Sequence, residues 1–126
     1  MKKSSIEHIL IVDDEEDICF LLKNILKRES NAKIDICHSV SCARSKLDSE
    51  INYDLAFIDM RLNDGTGEEI VEFAQNAVKK QPYIVIISAY SSVIDMERID
   101  RLEINEFIAK PLTTQKIISC YHAASA

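Results

Sequence analysis

Side chains that could take part in catalysis stand directly after short apolar runs at four places in the chain. The runs and the residues that follow them are 9–12 with Asp13 and Asp14, 55–58 with Asp59, 84–87 with Ser88, and 107–109 with Lys110. Apolar runs of this length are typical of buried parallel strands. Because the ligand site of an open α/β sheet lies outside the carboxyl ends of its strands, we expect these side chains to converge at one edge. Such a group of carboxylates, a hydroxyl and an ammonium suits a divalent metal and a phosphoryl group.

Each residue type has a distinct chemical use. Asp59 is the only carboxylate that closes a central apolar strand, so it is the expected nucleophile, forming an aspartyl phosphate. Asp13 and Asp14 are expected to hold a hard cation, and Mg²⁺ fits best because it accepts a few carboxylates and keeps several waters. Without the cation, at least one of the clustered acids should have a raised pKa. Lys110 supplies a positive charge, and Ser88 a hydroxyl donor, for phosphoryl oxygens.

Each of these residues also has a structural alternative. Acids at the start of a helix are favoured by its dipole, which accounts for residues 15–17, and we assign them no chemistry. The dipole accounts less well for Asp13 and Asp14, because they close a strand. The other three residues could separately be a turn residue, a cap and a solvated strand end. The expected convergence of all five at one edge favours the chemical interpretation.

Length and composition limit the class of protein. The chain has 126 residues, which predicts a single domain over residues 1–126. A formal net charge of -6, without a basic stripe, argues against a nucleic-acid or membrane surface. No apolar stretch approaches the length of a membrane span. Residues 1–3 are basic, but Glu7 and His8 follow before any apolar core, so we expect no secretory signal and a cytoplasmic protein.

The cysteines and histidines show no spacing typical of a metal site. The four cysteines lack a Cys-x-x-Cys pair, which favours buried hydrophobic residues or surface thiols over disulfides and zinc ligands: Cys19, Cys37, Cys42 and Cys120. The three histidines lie on different segments, and we interpret them as structural or surface residues: His8, His38 and His122.

Five strands alternate with five helical patterns along the chain. The strands are predicted near 8–13, 33–38, 54–59, 83–88 and 105–109. Apolar residues at helical spacing predict helices around 18–26, 40–47, 70–78, 93–99 and 113–121, the last one started by Pro111. Strict alternation in this length predicts an α/β fold with a doubly wound, five-stranded parallel sheet and helices on both faces, a flavodoxin-like three-layer sandwich.

These motifs resemble the receiver domain of the response-regulator family over essentially the whole chain. That family is the phospho-accepting partner of bacterial sensor histidine kinases. The matching residues close the predicted strands or follow them: 11–14, Ile58-Asp59, Gly67, Ser88-Ala89 and 107–111.

The resemblance implies a two-component or phosphorelay switch that catalyses only its own phosphorylation and dephosphorylation. Asp59 would take the phosphoryl group from a phosphohistidine of a sensor histidine kinase or a histidine phosphotransfer protein. The backbone carbonyl of Arg61 would be a further Mg²⁺ ligand, and the Lys110-Pro111 peptide would be cis.

The resemblance also implies a conformational response. Ser88 would move toward the phosphoryl group, and Phe107 would change rotamer into the space that it leaves. A new surface on the fourth helix, fifth strand and fifth helix would then contact a downstream protein or effector domain. The domain itself would not contact nucleic acid or a membrane.

Departures from the family pattern concern loops. Asn63 stands where the family usually has Pro, and Glu103-Ile104 replaces the usual Gly-Ala before the fifth strand.

Arg61 and Tyr90 are expected to flank the open side of the phosphoryl group and slow its hydrolysis, the alternative being two solvated side chains that point away.

Two other functions fit the sequence less well. An aspartate-nucleophile phosphohydrolase of the haloacid-dehalogenase type needs an Asp-x-Asp motif, which residues 59–61 and 13–15 both lack. A receiver-like binding module that is never phosphorylated is disfavoured because no key residue is missing.

The chain ends at Ala126, just past the last predicted helix, so we expect either a stand-alone receiver or part of a larger regulator or hybrid kinase.

Overall fold

Five parallel strands form the central sheet. A computed structural model of the chain describes residues 6–77, 80–89 and 93–126. The strands within this part are β1 His8–Val12, β2 Lys33–Cys37, β3 Leu55–Asp59, β4 Tyr83–Ser88 and β5 Glu106–Ala109. Their order is β2-β1-β3-β4-β5, and each neighbouring pair is parallel. The predicted strands are confirmed to within a residue or two, because strands buried on both faces read as continuous apolar runs.

Five helices are described alongside the sheet: α1 Glu16–Glu29, α2 Val40–Leu47, α3 Gly67–Ala77, α4 Val93–Asp100 and α5 Thr114–Ser125. The predicted start of α5 near residue 113 is confirmed, but the prediction that Pro111 starts the helix is wrong. The helix begins after Thr113, whose hydroxyl accepts a hydrogen bond from the Lys116 N–H, and not at Pro111. Among the described residues, no helix is both long and apolar enough to cross a membrane.

The helices cover both faces of the sheet, which confirms the predicted doubly wound sandwich. Alternate strand residues point to opposite faces, so Ile9 and Ile11 pack with α1 and α5, whereas Leu10 and Val12 pack with α2, α3 and α4. Every one of these four side chains is fully buried. The polar groups that follow the strands are therefore left at the sheet edge, outside both apolar layers.

A short antiparallel hairpin connects β3 to α3. Its strands are Arg61–Leu62 and Gly65–Thr66, in the turn-rich stretch that the sequence indicated. At the end of the hairpin the Gly67 N–H donates to the Met60 carbonyl at 2.8 Å. A Cβ at Gly67 would lie 2.5 Å from the Asp59 carbonyl oxygen, so only glycine fits this approach without a shift.

The prediction that the cysteines form no disulfide is wrong for one pair. Cys37 ends β2 and Cys42 lies in the first turn of α2, and the two are disulfide-bonded across a Cα–Cα distance of 5.5 Å. Only two residues separate β2 from α2, and this sharp corner brings the cysteines together. Cys19 and Cys120 are free and buried, as predicted.

Candidate metal and phosphoryl centre

Three carboxylates meet at the carboxyl edge of the central strands. Asp13 and Asp14 directly follow β1, and Asp59 is the last residue of β3. Because β1 and β3 pair in register, with Val12 beside Ile58, their ends coincide. One oxygen from each of the three acids lies within 4.8 Å of the others. The predicted convergence of these residues is therefore confirmed.

Lys110 reaches into the same centre from the end of β5. Its Nζ lies 3.1 Å from Asp13 Oδ2 and 3.5 Å from Asp59 Oδ2. Its backbone N–H donates to the Ser88 carbonyl at 2.8 Å, and the following peptide bond to Pro111 is cis, as the resemblance implied. The Lys110 side chain is only 10% exposed, so its charge is screened little by water and acts on both carboxylates.

Burial dominates the electrostatics of the centre. It raises the pKa of Asp59 to about 6, and the neighbouring charge of Asp13 adds to this rise against the opposing effect of Lys110. Burial also raises the pKa of Asp13. For Lys110, burial lowers the pKa, but the charges of Asp59 and Asp13 outweigh it and leave the pKa raised. The ammonium thus stays charged, and the prediction of a raised carboxyl pKa is confirmed.

The donor set fits a hard cation. Asp13 Oδ1 accepts the Glu15 N–H at 2.8 Å. Asp13 Oδ2 is buried and accepts no well-directed hydrogen bond from the described residues, although it forms the ion pair with Lys110. A buried carboxylate oxygen in that state, beside two further carboxylates, is suited to Mg²⁺, which prefers oxygen ligands. The Arg61 N–H lies 3.4 Å from Asp59 Oδ1, which brings that backbone to the centre, while the ligand role of its carbonyl stays a prediction.

The two residues of the expected switch lie on adjacent strands. Ser88 ends β4 and is 3% exposed. Phe107 lies on β5, half-buried against the apolar layer under α2, α3 and α4. Their positions match the sequence prediction, and their movement stays a prediction.

Two residues near the centre were not predicted to act there. Glu15, to which the sequence assigned no chemistry, places Oε1 3.6 Å from Lys110 Nζ at the exposed rim. His38, interpreted as a structural or surface residue, has Nδ1 2.9 Å from the Asp13 carbonyl oxygen. The position of Glu15 directly after Asp13 and Asp14 could have indicated from the sequence that it lies near the centre. Nothing in the sequence indicates the same for His38, because 25 residues separate it from Asp13.

Of the two residues expected to flank the open side of the phosphoryl group, the structure describes only Arg61. Arg61 is exposed beside the centre. Tyr90 lies outside the described residues, so the expectation that this pair shields the phosphoryl group stays a prediction.

Comparisons with known proteins agree with this geometry. The family profile described as response regulator receiver domain matches residues 9–122. Response regulator protein PilR of Pseudomonas aeruginosa is 36% identical over 105 residues, which cover 82% of this chain and 22% of that protein. The chain thus spans about a fifth of the length of this relative.

Solved structures share the fold. A CheY-like receiver domain protein from Methanospirillum hungatei has a TM-score of 0.84 and 24% identity, covering 94% of this chain and 93% of that one. A response regulator protein from Burkholderia pseudomallei has a TM-score of 0.78 and 18% identity, covering 91% and 66%. With the profile spanning most of its length and PilR as a relative, the chain belongs to the response regulator receiver domain family.

Proposed function

We propose that residues 1–126 form a single receiver domain that accepts a phosphoryl group on Asp59 and acts as a signalling switch. The observation that carries this proposal is the buried Asp59 carboxylate between Lys110 and the acids Asp13 and Asp14. The structure from Burkholderia pseudomallei contains a phosphorylated aspartic acid and a calcium ion, which supports the same chemistry here.

The donor is a phosphohistidine on a sensor histidine kinase or a histidine phosphotransfer protein. A carboxylate oxygen of Asp59 forms a bond to phosphorus while the phosphorus–nitrogen bond breaks, and the imidazole leaves with the electron pair. With a pKa of about 6, Asp59 is mostly ionised at neutral pH, as a nucleophile must be. Lys110 and the Ser88 hydroxyl stabilise negative charge on the phosphoryl oxygens.

Asp13, Asp14 and Asp59, with the Arg61 carbonyl, would hold Mg²⁺. When bound, the ion neutralises charge on the phosphoryl oxygens and among the acids themselves. The Glu15 N–H holds Asp13 Oδ1 and so leaves Oδ2 directed toward Lys110 and the centre.

The phosphoryl group would act on the fold through Ser88 and Phe107. Ser88 is buried beside the centre, and Phe107 packs into the layer that contains Ile99 of α4. A shift of Ser88 that admits the ring would alter the surface of α4, β5 and α5, where a downstream protein or effector domain binds. Attack of water on phosphorus, with Asp59 as the leaving group, returns the domain to its first state.

Labelling with acetyl phosphate tests the proposal. With Mg²⁺, the wild type should gain one base-labile phosphoryl group by intact mass, and Asp59→Asn should gain none. Asp48→Asn is the matched control, since Asp48 is an exposed acid at the C-cap of α2 and should leave labelling unchanged. Removal of Mg²⁺ by a chelator should abolish labelling. Equal labelling of wild type and Asp59→Asn would contradict the proposal.

A further inference from the structure

The segment that joins β2 to α2 holds the main chain of Asp13 on both sides. The Asp13 N–H donates to the Cys37 carbonyl at 3.0 Å. On the other side, His38 Nδ1 lies 2.9 Å from the Asp13 carbonyl oxygen. Because a carbonyl oxygen only accepts, Nδ1 must carry the proton and donate it, which fixes the tautomer of a neutral His38.

A second donor shares the Asp13 carbonyl. The Cys19 thiol lies 3.3 Å from the same oxygen. Because a carbonyl oxygen only accepts, the thiol donates its proton to it. Both lone pairs of the carbonyl are therefore engaged, and the backbone on either side of the Asp13 side chain is fixed.

The corner that carries His38 is itself constrained. The Cys37–Cys42 disulfide closes it, and the Ser39 hydroxyl accepts the Cys42 N–H at 3.0 Å. Asp64 accepts two N–H groups from the first turn of α2, at 2.8 and 3.1 Å. By contrast, His38 is an exposed residue, so its hydrogen bond and not core packing ties it to the site.

We propose that His38 is a positioning residue of the metal centre. By holding the Asp13 carbonyl, it fixes the peptide between Asp13 and Asp14 and directs both carboxylates toward the cation. This inference rests on the proposed function, in which those two residues bind Mg²⁺. Groups that orient metal ligands through hydrogen bonds commonly change metal affinity by about 10- to 100-fold.

Titration calorimetry with Mg²⁺ tests the role of His38. His38→Leu removes the donor at similar size and should weaken Mg²⁺ binding about tenfold. His38→Asn keeps an N–H donor near the position of Nδ1 and should bind within about threefold of the wild type. His122→Leu is the matched control, because His122 is an exposed histidine on α5 and should leave affinity unchanged.

Thermal unfolding of each variant in a chelator separates positioning from folding. Unfolding temperatures close to that of the wild type are expected, since His38 contributes little to the core. Unchanged affinity in His38→Leu, or failure of His38→Asn to restore it, would overturn the inference. A wild type that binds no Mg²⁺ would contradict the proposed function itself, so the two failures are distinguishable.

Discussion

One ammonium is shared between two buried carboxylates at the centre. Lys110 lies within ion-pair distance of both Asp13 and Asp59, so it cannot fully compensate either charge. The uncompensated negative charge raises the free energy of the folded chain, because the effective dielectric constant of a buried site is well below that of water. Burial is the main reason that the pKa of both acids is raised, and Lys110 offsets this rise only in part. A bound cation would remove this imbalance of charge, which supports the Mg²⁺ site that we propose.

The first residue-scale prediction compares two acids of the same run. Asp14 belongs to the carboxylate cluster, whereas Glu16 is exposed in the first turn of α1. Asp14→Asn should weaken Mg²⁺ binding at least about tenfold, because it removes a hard ligand. Glu16→Gln should change the free energy of Mg²⁺ binding by under about 1 kcal/mol, as expected for a surface charge near a helix start. Calorimetric titration measures both, and similar affinities would place the metal elsewhere.

The second prediction concerns pH and stability without metal. The Asp59 pKa is about 6 in the folded chain, above its ordinary value of 3.8. The folded state therefore binds more protons between these values, so the free energy of unfolding should fall as pH rises through this window. At pH values above this window, the free energy of unfolding of Asp59→Asn should exceed that of the wild type by roughly 1–3 kcal/mol. The difference should vanish at pH values below the window.

Urea unfolding in a chelator measures this difference across the pH range. Part of the wild-type slope should remain in Asp59→Asn, because the pKa of Asp13 is also raised. A variant less stable than the wild type at neutral pH would show that Asp59 is a net stabilising charge.

At the scale of elements, the hairpin after β3 fixes the position of Asp59. Gly67→Ala would place a Cβ 2.5 Å from the Asp59 carbonyl and 3.1 Å from Met60 Cα, both backbone atoms. We expect a loss of roughly 1–3 kcal/mol in the free energy of unfolding, the usual cost of overpacking, and slower labelling by acetyl phosphate.

Gly65→Ala is the control for this effect. The nearest atoms there all belong to side chains, namely the Glu69 carboxylate oxygens at 2.9 and 3.0 Å and Val40 Cγ2 at 3.0 Å, whereas backbone atoms obstruct a Cβ at Gly67. The loss of stability measured by urea unfolding should be clearly smaller than for Gly67→Ala. Equal losses would mean that the approach to Asp59 is not what requires glycine.

The elements differ in how far the sequence predicts them. The strands and their closing residues were predictable because both faces of each strand are buried and the run simply ends at the polar edge. The helix α2 was predicted at its observed bounds, but the contact that holds its first turn was not, because Asp64 accepts the N–H groups of that turn from more than twenty residues away. The Cys37–Cys42 bond and the His38 contact depend on the same corner. Local periodicity carries no information on such contacts.

For the whole molecule, the sheet order accounts for the site. With β1 and β3 adjacent in the middle of β2-β1-β3-β4-β5, their closing acids must meet, and β4 and β5 bring Ser88 and Lys110 alongside. Successive residues of β5 point into opposite layers, Phe107 toward α4 and Ile108 toward α5. A change at the end of β5 can therefore reach both helices of the proposed output surface.

Asp59 is the residue that we propose carries the phosphoryl group. Borohydride reduces an aspartyl phosphate to homoserine, so peptide mass spectrometry of the reduced, acetyl phosphate-treated protein locates the phosphorylated residue directly. We expect homoserine at position 59, and only in protein treated with both Mg²⁺ and acetyl phosphate. Homoserine at another acid, such as Asp13, Asp14 or Asp64, or at none, would contradict it.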